Sequence, residues 1–198
     1  MDGSRDVTGF ILAGGKSTRM GTDKVFVDFE GRTLLVRMLD LARSATPEVC
    51  IVGAKEKFAA FAPTVEDIFR DRGPLGGIHA ALRASQTDLN LMLAVDMPFV
   101  SLAFLQYLIG EARLATDATV VVPGSDGRRE PLCAVYRRNF ADVAEKALLA
   151  GQNKIDRLFD EVQVRVIDEE ELDRAGFSSS IFRNLNTPEE LEKQERRA

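Results

Sequence analysis

Apolar, β-branched runs alternate along the chain with longer stretches whose apolar residues recur at helical spacing. Val7 to Ala13 reads as a first strand, Val49 to Val52 as a second and Thr64 to Glu66 as a third. Leu89 to Val95 and Ala118 to Val122 follow as the fourth and fifth. Between them, Thr33 to Ala45 carries Leu35, Met38, Leu39 and Ala42 on one helical face. Lys55 to Phe61, Gly76 to Ala84 and Leu102 to Ala115 read as further helices. Strands that are continuously apolar bury both faces. The pattern therefore predicts an α/β fold, one three-layer α/β/α domain over residues 1–198 with a mostly parallel sheet. From Arg129 on the order loosens, with Leu132 to Tyr136 a strand, Asn139 to Leu149 a helix and Val162 to Ile167 a strand. A last helix is expected after Thr187-Pro188, with Thr187 as cap and Glu190 at capping-box distance. The polar start, residues 1–6, and the charged end, residues 192–198, are expected to fray.

A chain of 198 residues can bury a substantial core, while two independent domains would be a squeeze. The net charge of −5 argues against a nucleic-acid partner, which wants a basic surface, but not against a single bound nucleotide. Met1 to Asp6 carries no apolar secretory segment, and the longest apolar runs are too short to span a bilayer. Cys50 and Cys133 lie inside strand-like segments and read as buried free thiols. These features point to a cytoplasmic protein away from membranes. The one histidine, His79, has no partner at triad or metal-ligand spacing and reads as a surface or helix-packing residue. No long apolar face is left over, so a monomer is expected.

The most informative segment is Leu12-Ala13-Gly14-Gly15-Lys16-Ser17-Thr18-Arg19-Met20-Gly21-Thr22-Asp23-Lys24, directly after the first strand. Open α/β sheets bind ligands at the carboxyl ends of their strands. Glycines there let backbone amides approach a ligand, and Arg19 and Lys24 add fixed positive charge, so the loop suits a polyphosphate. Gly15-Lys16-Ser17 imitates the end of a Walker A motif, but the glycine that motif needs falls at Phe10. The fourth strand ends in Asp96, before Met97-Pro98-Phe99. A single carboxylate beside bound phosphates is what Mg²⁺ takes, and the same sheet edge brings Asp96 near Lys24. The competing reading is that Asp96 caps the helix beginning near Ser101. Asp67 ends the third strand before a second glycine cluster, Gly73-Pro74-Leu75-Gly76-Gly77, which opens a helix. A plain strand-to-helix turn explains that cluster nearly as well. Arg128 and Arg129 could meet an anionic acceptor or remain solvated loop cations.

These stretches, with Glu130-Pro131-Leu132 and the closing Asn184-Leu185-Asn186-Thr187-Pro188-Glu189, closely resemble the molybdenum cofactor guanylyltransferase family and run in its order. The resemblance implies a Rossmann-like nucleotidyltransferase fold with a mixed, mainly parallel sheet, and transfer of GMP from GTP to molybdenum-molybdopterin with release of pyrophosphate. It implies that Leu12, Ala13 and Gly14 hold the guanine and ribose end, while Gly15, Arg19 and Lys24 meet the phosphates. It places Asp67 on the nucleoside side, Mg²⁺ on Asp96, and Asn184 and Asn186 near the acceptor pterin. Arg19, Lys24 and Asp96 are then the catalytic set. Transient contact with proteins that donate molybdopterin or mature molybdoenzymes is implied as well. Many relatives place an asparagine at the end of the second strand, where this chain has Val52-Gly53. That contact must come from backbone or be missing. Two alternatives stay open: a related enzyme using CTP or a sugar-phosphate acceptor, and a non-catalytic nucleotide-binding protein that hands molybdopterin on.

Overall fold

The computed structural model describes residues 6–14, 23–125 and 127–184. Strand β1 (Val7–Leu12) is followed by a short 3-10 turn, Lys24–Phe26, and a hairpin of β2 (Asp28–Phe29) and β3 (Arg32–Thr33). Then come α1 (Leu34–Ala45), β4 (Glu48–Val52), α2 (Lys55–Phe58), β5 (Thr64–Val65), α3 (Pro74–Ala84) and β6 (Leu89–Ala94). The remainder is α4 (Leu102–Leu114), β7 (Val120–Ser125), β8 (Arg128–Arg129), β9 (Cys133–Arg137), α5 (Phe140–Leu149), α6 (Ile155–Leu158), β10 (Val164–Ile167) and α7 (Glu169–Arg174).

The main sheet has the order β10-β7-β9-β6-β1-β4-β5, with β8 paired to β7. Strand β1 is parallel to β4 and β6, β4 to β5, and β7 to β10. Strand β9 runs antiparallel to both β6 and β7. Six strands of this path therefore end at one edge, and only β9 ends at the other. The mixed, mainly parallel α/β sheet is the one expected.

Alternate residues of each central strand enter opposite layers, which is why the strands read as unbroken apolar runs. Ile11, Leu91 and Leu93 face α1 and α4 and join Leu35, Met38, Leu39, Phe104 and Leu108 in one core. Phe10 and Met92 face α3 and α5 and join Leu75, Ile78, Leu82, Phe140 and Leu148 in the other. No helix among the described residues is long and apolar enough to cross a membrane.

Most predicted elements are found within a few residues of their expected ends. Thr33 caps α1 by accepting from the Val36 amide at 3.4 Å. Helix α3 begins two residues earlier than expected, at Pro74, because Gly73 takes a positive φ of 64° that only glycine adopts easily. The β2–β3 hairpin, the short α6 and the six-residue α7 were not anticipated. The helix expected after Thr187-Pro188 lies outside the described residues.

Candidate active site

The carboxyl ends of β1, β4, β5 and β6, with the described residues just after them, border a cavity of about 620 Å³ at the shared carboxyl edge. Leu12, Ala13 and Gly14 line it from β1, Val52 from β4, Asp67 from the loop after β5, and Asp96 from the turn after β6. Lys24 and Asp23 reach it from the 3-10 turn. The strand ends themselves are locked together. The Ala13 amide donates to the Val52 carbonyl at 3.0 Å, and the Val95 amide to the Leu12 carbonyl at 3.3 Å.

Lys24 and Asp96, 72 residues apart, form an ion pair: Nζ donates to Oδ2 at 2.9 Å. Both side chains are largely sheltered, at 15% and 25% exposure, so their charges are less screened than a surface pair's. The capping alternative for Asp96 fails, because the Ser101 hydroxyl takes that role by accepting from the Phe104 amide at 3.2 Å. The Lys24 turn is tied from its other flank, where the Lys57 ammonium pairs with the Asp23 carboxylate and lies 4.7 Å from the centre of the Phe58 ring.

Asp67 lies against the first turn of α3. A Cβ on Gly76 would come within 2.9 Å of the Phe69 carbonyl oxygen and 3.7 Å of Asp67 Oδ2. A Cβ on Gly77 would come within 3.2 Å of Val52 Cγ1 and 3.6 Å of Asp67 Oδ1. The two glycines thus let this loop and β4 close on the helix start, beyond what a simple turn needs. Burial pushes the Asp67 carboxyl above its ordinary range. Among the described residues it has no hydrogen-bond or ion-pair partner, so a donor-rich ligand edge in the cavity would suit it.

Among the described residues no three His, Cys, Asp or Glu side chains gather as a metal cage. Of the aspartates that line the cavity, Asp23, Asp67, Asp71 and Asp96, no three converge, and a lone carboxylate such as Asp96 suits an ion that draws its other ligands from phosphates and water, which fits Mg²⁺ rather than a structural metal.

The other expected positions divide. Gly15, Arg19 and Asn186 lie outside the described residues. Asn184 is exposed and does not line the cavity. It follows Arg183, whose guanidinium sits 4.9 Å from the Phe99 ring centre, just beyond the Asp96 turn. For Arg129, left open between an acceptor contact and a solvated cation, the structure shows a third arrangement. Its guanidinium donates to the Asp156 carbonyl at 3.2 Å, pairs with the Asp156 carboxylate at 3.3 Å and stacks 4.9 Å from the Phe159 ring centre, so it braces α6. Arg128 is exposed. His79 is buried in α3, edge-on to Phe69 at 5.2 Å, and burial lowers its pKa; it packs the helix. Cys50 and Cys133 are both free.

Two features of the site escaped sequence reasoning, and a third, noted there, finds its cause. Lys57 tethers Asp23 across 34 positions with no local pattern to announce it. Asp71, also lining the cavity, holds a left-handed backbone at φ 59°. The missing asparagine is explained by Gly53, where a Cβ would lie 2.6 Å from the Phe58 ring, leaving no room for a side chain. Its amide is also committed, donating to the Val65 carbonyl at 2.9 Å.

Comparison with known proteins gives the family and the fold. The family described as MobA-like NTP transferase domain matches residues 9–171. A protein of Desulfosudis oleivorans named molybdenum cofactor guanylyltransferase is 38% identical over 192 residues, 96% of this chain and 94% of its own length. The crystal structure of molybdopterin-guanine dinucleotide biosynthesis protein A from Archaeoglobus fulgidus is 30% identical, with a TM-score of 0.80 over 96% of this chain and 97% of that one. A 4-diphosphocytidyl-2C-methyl-D-erythritol synthase from Anaerococcus prevotii shares the fold at a TM-score of 0.71, at 15% identity.

Proposed function

The chain belongs to the family of the MobA-like NTP transferase domain, and from that membership we propose that it is a molybdenum cofactor guanylyltransferase. It transfers GMP from GTP to molybdenum-molybdopterin and releases pyrophosphate. The observation that carries this reading is the Lys24–Asp96 pair, set beside the glycine-bearing end of β1 at the mouth of a nucleotide-sized cavity.

An oxygen of the acceptor's terminal phosphate bonds to the α-phosphorus of GTP, and the bond from that phosphorus to the bridging oxygen breaks as pyrophosphate leaves. The attacking oxygen is already ionised at neutral pH, so no strong base is needed. This agrees with a site lined by carboxylates, lysine and backbone, with the one histidine packed elsewhere. The protein's work is alignment and charge compensation. Leu12, Ala13 and Gly14 cradle the nucleoside end, and Asp67 accepts from its donors. Lys24 offsets negative charge on the leaving group, together with Gly15 and Arg19 from the loop. Asp96 holds Mg²⁺. The ion, when bound, contributes further positive charge against the charge that develops on pyrophosphate. Asn184 and Asn186 belong to the acceptor side.

The test is pyrophosphate release from GTP, CTP and ATP in Mg²⁺, with and without molybdopterin. Release from GTP alone among the three, dependent on molybdopterin, is expected. Release from CTP instead would move the chain to a related cytidylyltransferase, and binding without turnover would leave a handover protein.

A further inference from the structure

The Lys24–Asp96 pair joins two segments that are remote in sequence, and both are fastened to the first turn of α1. On the donor side, the Lys24 carbonyl accepts from the Val27 amide at 3.2 Å, closing the 3-10 turn. The Val27 carbonyl in turn accepts from the amide of Leu34, the first residue of α1, at 3.0 Å. On the metal side, Asp96 stands two residues before Pro98. Proline has no N–H, so its carbonyl is the only backbone group by which that residue can be tied down. Arg37 Nε donates to it at 3.2 Å.

Residues 34 and 37 are one turn apart on a helix, and so share a face at a fixed spacing. The guanidinium is itself held on two further sides. Its Nη1 donates to Glu30 Oε2 at 2.8 Å, and its Cζ lies 5.0 Å from the centre of the Phe29 ring. Phe29 meets Phe99 edge to face at 5.7 Å, one residue beyond Pro98. Glu30 occupies the hairpin tip at a φ of 55°, beside Gly31 at 78°, where a left-handed turn carries its carboxylate back towards α1.

We propose that Arg37 is a positioning residue for the metal-holding turn: acting from α1 through the Pro98 carbonyl, it sets Asp96 at its distance from Lys24. The proposal rests on the reading of Asp96 as the Mg²⁺ ligand. Arg37 touches neither Lys24 nor Asp96. Its side chain is 38% exposed and its carboxylate partner 52%, a degree of exposure at which ion pairs add little to stability. A purely structural brace at this place would therefore change little when removed, whereas a group that orients a metal ligand changes metal affinity.

Two variants decide the matter. Arg37→Met keeps the aliphatic stem over Phe29 and removes the guanidinium; Glu30→Gln keeps Arg37 and removes the charge that holds it. The Mg²⁺ concentration giving half-maximal pyrophosphate release is measured beside Mn²⁺ binding, followed by electron paramagnetic resonance with the α,β-methylene analogue of GTP, which cannot be turned over. Arg37→Met is expected to raise both constants about tenfold, the usual cost of losing a group that orients a metal ligand. Its kcat at saturating metal and its melting temperature should stay near wild type. Glu30→Gln should shift both constants in the same direction by a smaller factor, and Arg37→Lys should recover part of the loss. Metal constants within twofold of wild type in folded Arg37→Met and Glu30→Gln would overturn the proposal. If wild type binds Mn²⁺ with the analogue but releases no pyrophosphate, the guanylyltransferase reading falls while the binding arm still judges Arg37. If wild type binds no Mn²⁺, both fall.

Discussion

The two edges of the sheet carry the same ingredients and do opposite things with them. At the carboxyl edge, one lysine and one aspartate meet over a cavity of about 620 Å³. At the amino edge a second hollow, of about 530 Å³, is lined by Asp6, Asp88, Arg113 and Arg137. There Arg113 pairs with Asp6, and Arg137 with Asp88. Arg137 also donates to the carbonyls of Ala118, Ala112 and Ala115 at 2.9, 3.3 and 3.3 Å, closing the carboxyl end of α4. Its donors are spent on the helix end, where cations are favoured in any case. At the carboxyl edge the geometry is reversed. The amino-terminal turn of α3 borders the cavity, two glycines keep that turn bare, and Asp67 lies against it without a partner among the described residues. Charged residues in a hollow do not define a site; what their remaining hydrogen-bonding capacity faces does.

The largest effect that tests this contrast is at Asp96. Asp96→Ala should abolish transfer in the pyrophosphate assay while circular dichroism and melting stay near wild type, because Ser101 already caps α4. Near-normal turnover with Mg²⁺ would remove the metal assignment. Lys24→Ala should follow, with a loss in rate on the order of 10²-fold, typical of removing one preorganised charge-stabilising donor. An unchanged rate would take Lys24 out of the site. Arg137→Ala is the counterpart at the other edge. It should leave kcat/KM as it is and cost about 1–3 kcal/mol in denaturant unfolding, since the carbonyls at the end of α4 lose a charged donor. A fall in kcat/KM without loss of stability would show that the amino edge takes part in function after all.

The parts of this contrast that sequence reading reached are those written locally. The apolar runs of β1 and β6, and the 35-38-39-42 spacing of α1, hold because burial on a fixed face leaves a period in the sequence. Lys24 and Asp96 were expected together because both follow strands that end at one edge, and parallel strands make that edge common. What escaped was tertiary pairing. Nothing near Arg37 announces a bond to a carbonyl 61 residues away, and nothing near Arg129 announces Phe159. Arg129 reads from sequence as either an acceptor contact or a solvated cation, because a loop cation looks available until the element that packs on it is known. Helix α7 is a different kind of miss. Its capping box, Asp168 with Glu171, is local and legible, but it lies in the stretch where the strand–helix alternation had already loosened.

The smallest expected effect is a difference of sign in pH dependence. Asp6 and Asp67 share an ordinary carboxyl pKa of 3.8 and are shifted in opposite directions: the Arg113 hydrogen bond lowers Asp6, and burial raises Asp67. A lowered carboxyl adds stability above its unfolded value, and that stability is lost as pH falls through the folded one. A raised carboxyl does the reverse, favouring the fold at acid pH and losing that contribution as pH rises through its folded value. Asp6→Asn should therefore melt below wild type at neutral pH, with the gap closing as the pH falls through the Asp6 range. Asp67→Asn should melt slightly above wild type at neutral pH, with its gap closing at a higher pH than that of Asp6→Asn. Both shifts are small because each carboxyl is partly solvated, Asp6 at 45% exposure. Asp67→Asn should nonetheless bind GTP more weakly, since the charge that costs stability is the charge kept for the ligand. Melting curves across the acid range, with nucleotide titration at neutral pH, read both. Gaps of the same sign would mean that the carboxylate beside α3 is held by something other than its burial, and that the two edges differ less in electrostatics than in shape.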